Sequence, residues 1–185
     1  MDSALVDHGI RQLWETDRGQ ALERLMDAYG DKVLHLAYFY LRDRQLAEDL
    51  AQEVFIKVYR NLETFRGESS ISTWIYRITV NLCRDRLRSR SWRNQTLESD
   101  LSSYQSHTPD AEARMVEEDE RRAVLEAVMS LPTHYREVVA LYYYQEQPVG
   151  TIARMLGETP GTIKSRLHRA RMMLKARLPQ EEAQR

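Results

Sequence analysis

Lys164, Ser165, Arg166, His168 and Arg169 follow closely on one another, with Thr162 ahead of them and Arg171 and Lys175 behind. These are side chains that donate hydrogen bonds to phosphate oxygens and base edges. No acidic residue between Gly161 and Arg177 neutralises them. A second set lies upstream. Phe65, Trp74, Tyr76 and Trp92 accompany Arg84, Arg86, Arg88, Arg90 and Arg93, offset only by Asp85. Aromatic faces for unstacked bases beside cations for the backbone are what a single-stranded nucleic acid requires. A third set, Asp49, Gln52, Glu53 and Ile56, joins two carboxylates and an amide to an apolar side chain, a combination suited to a basic protein partner or simply to solvent. None of these is catalytic machinery. The chain has no P-loop, no HExxH and no credible nucleophile and base set, so an enzyme has little support.

The elements that must carry the basic set are readable. Val149, Ile152, Ala153 and Leu156 fall at i, i+3, i+4 and i+7, one buried helical stripe. Gly157 stops that helix, and Thr159 with Pro160 supplies an N-cap and a first-turn proline for the next. In the second helix Ile163, Leu167, Ala170 and Leu174 point inward, while Lys164, His168, Arg171 and Lys175 repeat the spacing one residue later. Alone, such a helix reads equally well as a solvated basic face. Its coupling to a tight turn, with small Gly161, Thr162 and Ser165 near its start, favours a DNA-reading helix-turn-helix. Gly150 lowers helix propensity where the first motif helix should begin.

Upstream, residues 2–17 are weakly amphipathic, a short helix or a loose tail. Leu22, Leu25, Met26 and Tyr29 mark a helix that Gly30 is expected to end, and Val33, Leu34, Ala37, Tyr38 and Leu41 mark another. From Gln45 to Asn61, Ala47, Leu50, Ala51, Val54 and Val58 form an inward stripe. A loop over 63–72 follows, with Ser72 expected to cap a helix carrying Trp74, Ile75, Tyr76, Ile78 and Leu82. Trp74, Tyr76 and Ile78 can also be read as core, and for Ile78 that reading is preferred. Periodicity is lost from Asn94 to about Glu120, a serine-containing acidic linker. Helices then resume through Val124, Leu125, Val128 and Met129, and again through Tyr135, Val138, Val139 and Tyr142. The tail over 180–185 is polar and expected to fray.

The expected fold class is therefore all-α, two small helical domains joined by a flexible acidic linker: 1–93, 94–120 and 121–185. Seven glycines and five prolines in 185 residues agree with helices rather than many turns. The net charge is −1, from 27 basic and 28 acidic residues, because the acidic linker offsets two basic lobes. The single cysteine, Cys83, excludes an internal disulfide, and His8, His35, His107, His134 and His168 show no ligand spacing. No metal and no cofactor is expected. The absence of a long apolar run or signal-peptide pattern points to the cytoplasm, without membrane insertion.

Four stretches in order, Ala47 to Tyr59, Phe65 to Asn81, Leu131 to Leu141 and Thr159 to Lys175, together resemble bacterial RNA polymerase sigma factors of the extracytoplasmic-function type. That group keeps only the second and fourth conserved sigma domains. The resemblance implies a protein that binds core RNA polymerase, through the beta-prime clamp helices and the beta flap, and directs it to promoters. Asp49, Gln52, Glu53 and Ile56 would form the core-binding face. Phe65, Ser69, Ser70, Trp74, Arg77 and Asn81 would surround the exposed minus-10 strand, with Arg84, Arg86 and Arg88 on nearby phosphates. Lys164, Ser165, His168 and Arg169 would read the minus-35 element, with Thr162 and Arg166 on its backbone. The family also implies an anti-sigma factor that clamps both lobes and can be membrane-bound. Gln147 to Gly150 depart from the Leu-Ser-Tyr-Glu type of lead-in that family members more often carry. The competing reading is a stand-alone helix-turn-helix transcriptional regulator.

Overall fold

Two aspartates start the helices on which the N-terminal half is built. Asp17 accepts a hydrogen bond from the Gln20 amide at 2.9 Å and Asp43 one from the Leu46 amide at 3.0 Å. Each satisfies a donor that a helix start leaves unpaired. The computed structural model describes residues 3–93 and 113–178; the acidic stretch over 94–112, the tail after 178 and the side chains of Arg90, Trp92 and Arg93 lie outside the described residues. The chain divides into two compact units, 1–99 and 100–185.

In the first unit α1 (Ser3–Thr16), α2 (Arg18–Leu41), α3 (Arg44–Asn61) and α4 (Ile71–Arg93) pack around α2, with a short 3-10 turn at Leu62–Thr64. Residues 2–17, open between helix and tail, are thus helical from Ser3, and Ile10 and Trp14 are buried. Gly30 does not end a helix. Buried Leu25, Val33, Leu36, Ala37 and Tyr40 sit on both sides of it, and α1, α3 and α4 all pack on α2. That burial outweighs the roughly 1 kcal/mol a mid-helix glycine costs. The left-handed residue that does close α2 is Arg42, at φ 57°. Likewise the cap of α4 is Ser70, not Ser72: its Oγ accepts from the Thr73 amide at 3.2 Å and its carbonyl from the Trp74 amide at 3.1 Å.

The second unit contains α5 (Ala113–Met129), α6 (Thr133–Val139), which runs into a π-helical turn at Ala140–Tyr144, α7 (Val149–Leu156) and α8 (Pro160–Lys175). Arg136 is 3% exposed. It donates to the Met129 and Leu131 carbonyls at 2.8 and 3.0 Å, taking up acceptors that the end of α5 leaves open. The motif turn forms as its chemistry requires. Gly157 has φ 69° and returns its amide to the Ala153 carbonyl, and Thr159 Oγ1 accepts from the Thr162 amide at 3.1 Å. Helix α7 starts at Val149 in spite of Gly150, because Ile152, Ala153, Met155 and Leu156 are all buried. Helix α8 lies on α6 and α7 through Ile163, Leu167 and Ala170. Among the described residues no helix is long and apolar enough to cross a membrane.

Candidate nucleic-acid and partner interfaces

Helix α3 presents a surface as well as a core. Ala47, Leu50, Val54 and Val58 are buried, joined by Phe55, while Ala51 is only half-buried. On the other side Asp49 and Gln52 are exposed, Glu53 is half-buried, and Ile56 keeps 51% of its surface. Ile56 is not the lone apolar group there. Tyr59, three residues on, is 43% exposed and meets Trp14 edge-on, ring centres 5.3 Å apart. The i, i+3 spacing from Ile56 was the available sign of this second residue.

The loop after α3 brings Phe65 against Trp74, centroids 5.3 Å apart and planes tilted by 40°, both half-buried. From Trp74 onward one side of α4 carries Arg77, Asn81, Arg84 and Arg88, spaced i, i+4, i+7 and i+11, so they form a single line. Arg77, Asn81 and Arg88 are exposed and Arg84 half-buried, with Arg88 3.7 Å from Asp85. Two of the sequence-assigned residues, Arg86 and Ser70, are engaged within the first unit. Arg86 lies on the opposite side of α4 from Arg77, where its Nη2 donates to Glu53 Oε2 at 3.1 Å. Ser70 is engaged as the helix cap, with Ser72 and Thr73 hydroxyls each 2.9 Å away, and Ser69 beside it is half-buried. Tyr76 is core, 2% exposed and edge-on to Tyr29, whereas Ile78 is only half-buried.

On α8, Lys164, Ser165, His168 and Arg169 are all exposed. Thr162 is half-buried, its hydroxyl 2.9 Å from that of Thr159. Arg166 faces inward: its side chain is 20% exposed and spans Glu137 at 3.3 Å and Glu158 at 2.5 Å. It braces α8 against α6 and the motif turn. Arg171 is exposed, donates to the Tyr143 hydroxyl at 2.7 Å and sits over that ring. The unit thus presents cations and hydroxyls along one helix, while buried Glu137 and half-buried Glu158 are held by an arginine of the same helix.

The Sigma-70 region 2 family model matches residues 25–93 and the Sigma-70, region 4 family model residues 121–174. Over 183 residues the chain is 32% identical to the ECF RNA polymerase sigma factor SigW of Bacillus subtilis, covering 94% of this chain and 97% of that protein. The chain belongs to the extracytoplasmic-function sigma factors. This sigma factor is also 30% identical over 179 residues to the ECF RNA polymerase sigma-E factor of Escherichia coli, covering 92% and 93% of the two chains. Its fold matches the sigma factor RpoE in complex with the anti-sigma factor NepR from Bartonella quintana, with a TM-score of 0.70 at 22% identity over 86% of this chain and 98% of that one. It also matches CnrH in complex with the cytosolic domain of CnrY, with a TM-score of 0.65 at 21% identity over 92% and 96%. The region 2 match begins inside α2, so α1 of this sigma factor, with Trp14, lies ahead of it. The family is one of transcription-initiation factors and not of enzymes.

Proposed function

We propose that this sigma factor joins core RNA polymerase in the cytoplasm and directs it to promoters through two separate DNA contacts, catalysing no covalent step itself. The observation that carries this reading is the separation of surfaces. In the first unit the acidic and apolar side of α3 and the Trp74–Arg88 line of α4 are distinct. In the second, α8 exposes Lys164, Ser165, His168 and Arg169. Asp49, Gln52, Glu53 and Ile56, extended by Tyr59, face the beta-prime clamp helices. Phe65, Ser69, Trp74, Arg77 and Asn81 receive the minus-10 strand. Flipping a base there costs a few kcal/mol of unstacking, offset by stacking and base-edge hydrogen bonds. Arg84 and Arg88 hold phosphates, and Lys164, Ser165, His168 and Arg169 read the minus-35 element. Arg86 and Arg166 serve inside the protein, as partners of α3 and α6.

The domains divide the work as 1–93 and 121–185, with 94–120 as connector. Joining them through polymerase makes the second DNA contact intramolecular and raises overall promoter affinity without a new contact. The beta flap is the partner of the second domain. An anti-sigma factor binds the protein and holds it inactive, a reading supported by the complex of the structurally similar RpoE with the anti-sigma factor NepR. Core polymerase supplied with this protein should yield discrete run-off transcripts from promoters selected out of genomic fragments. Absence of any transcript, with the protein folded and bound to core, rejects the proposal. Tight duplex binding without core would instead favour the stand-alone regulator.

A further inference from the structure

A cleft of about 410 Å³ opens between the start of α6 and the first half of α8. His134 and Tyr135 form one wall and Thr162, Ser165 and Arg169 the other. His134 is exposed, and its ring lies beside that of Tyr135 with centroids 4.0 Å apart. Every polar group on these walls can donate a hydrogen bond: an imidazole, a phenol, two hydroxyls and a guanidinium. Among the described residues no carboxylate lines the cleft. Arg166 also lines it, and its charge is answered inside the protein by Glu137 and Glu158. A ligand rich in acceptor oxygens and negatively charged fits that inventory. The position narrows the choice. One wall belongs to the exposed side of α8, and a helix seated in a major groove has the sugar-phosphate strands running past its first turns.

We propose that this cleft seats a backbone phosphate at the edge of the upstream promoter element, with His134 of α6 contributing a contact from outside the helix-turn-helix. The proposal rests on the sigma-factor reading above. Gly161 also lines the cleft, and there a side chain would narrow it. A Cβ on Gly161 would meet only Thr159 Oγ1, at 3.7 Å, so alanine is compatible with the fold.

The test uses holoenzyme and a selected promoter duplex in which single linkages across the upstream element are replaced, one at a time, by uncharged methylphosphonates. Wild-type protein should lose roughly tenfold in affinity at the seated phosphate, the size expected for a hydrogen bond to a charged group. His134→Ala should lose a similar factor on unmodified DNA and then be indifferent to that one linkage, while staying sensitive to the others. Gly161→Ala should reproduce this pattern. If His134→Ala and Gly161→Ala both bind unmodified duplex as wild type does, or if His134→Ala remains as sensitive as wild type to every linkage, the proposal is overturned. Failure of wild-type holoenzyme to bind any selected promoter would defeat the sigma-factor reading itself, and that result is seen before either variant is used.

Discussion

Arg86 of α4 and Glu53 of α3 are joined by a 3.1 Å ion pair that links the helix proposed to meet polymerase to the helix whose opposite side is proposed to meet DNA. Both side chains are 40% exposed, so the pair contributes below about 1 kcal/mol to stability. A double-mutant cycle of Glu53→Ala and Arg86→Ala in urea should therefore give a coupling within that limit. Core-binding titrations of the same proteins should show the larger loss for Glu53→Ala. An equal loss for Arg86→Ala would mean that the pair engages polymerase as a unit.

Arg166 should behave as a structural residue and Lys164 as a surface one. Arg166→Ala takes a cationic partner from Glu137, whose side chain is 5% exposed, and from Glu158. The expected cost is about 2 kcal/mol, against less than about 0.5 kcal/mol for Lys164→Ala. Urea unfolding monitored on the second unit separates the two. In promoter binding the order should reverse for element specificity. Lys164→Ala or Arg169→Ala weakens the upstream element and leaves core binding intact.

The two left-handed residues flanking α7 call for opposite substitutions. Gly157 has φ 69°, and a Cβ there would touch nothing within 4 Å, so Gly157→Ala is opposed only by the backbone, at about 1–2 kcal/mol. Glu146 holds φ 51° with a side chain attached. Glu146→Gly should stabilise by up to about 1 kcal/mol, after the extra chain entropy of glycine is subtracted. Thermal unfolding of the two variants should move in opposite directions.

His35, half-buried on α2, has its pKa lowered by burial, opposed in part by the Asp31 charge. The folded protein thus resists a proton that the unfolded chain accepts. Stability is retained above the ordinary imidazole range and falls as pH drops through it toward the lowered folded-state pKa. His35→Gln should flatten the dependence of the urea midpoint across that window.

Burial pushes the Cys83 thiol well above its ordinary range, with the Arg86 charge and a backbone hydrogen bond opposing this only in part. The thiolate is the reactive form. Iodoacetamide should leave the native protein unmodified for hours at neutral pH and label it promptly in denaturant. Because the folded pKa is raised, stability is full below the ordinary thiol range and declines as pH rises through it.

The sequence alone determined those features whose causes are local. Gly157, Thr159 and Pro160 carry the backbone preferences of a helix stop and a helix start, and the turn forms there. The period of Ile163, Leu167 and Ala170 gave the buried side of α8, and hence the exposure of Lys164, His168 and Arg169, because a helical repeat ties one side to the other. Local rules competed less decisively elsewhere. Gly30 carries a stop preference that the packing of three helices on α2 overrides, and Ser70 and Ser72 offer equivalent hydroxyls from which only the path of the loop selects one. Tertiary structure alone decided the roles of Arg86 and Arg166. Their partners Glu53 and Glu137 lie 33 and 29 residues away, and periodicity says which way a side chain points but not which helix stands opposite. The same long-range approach set His134 across from Arg169. It arises from the burial of α8 on α6, a contact between two separately periodic segments that neither segment encodes by itself.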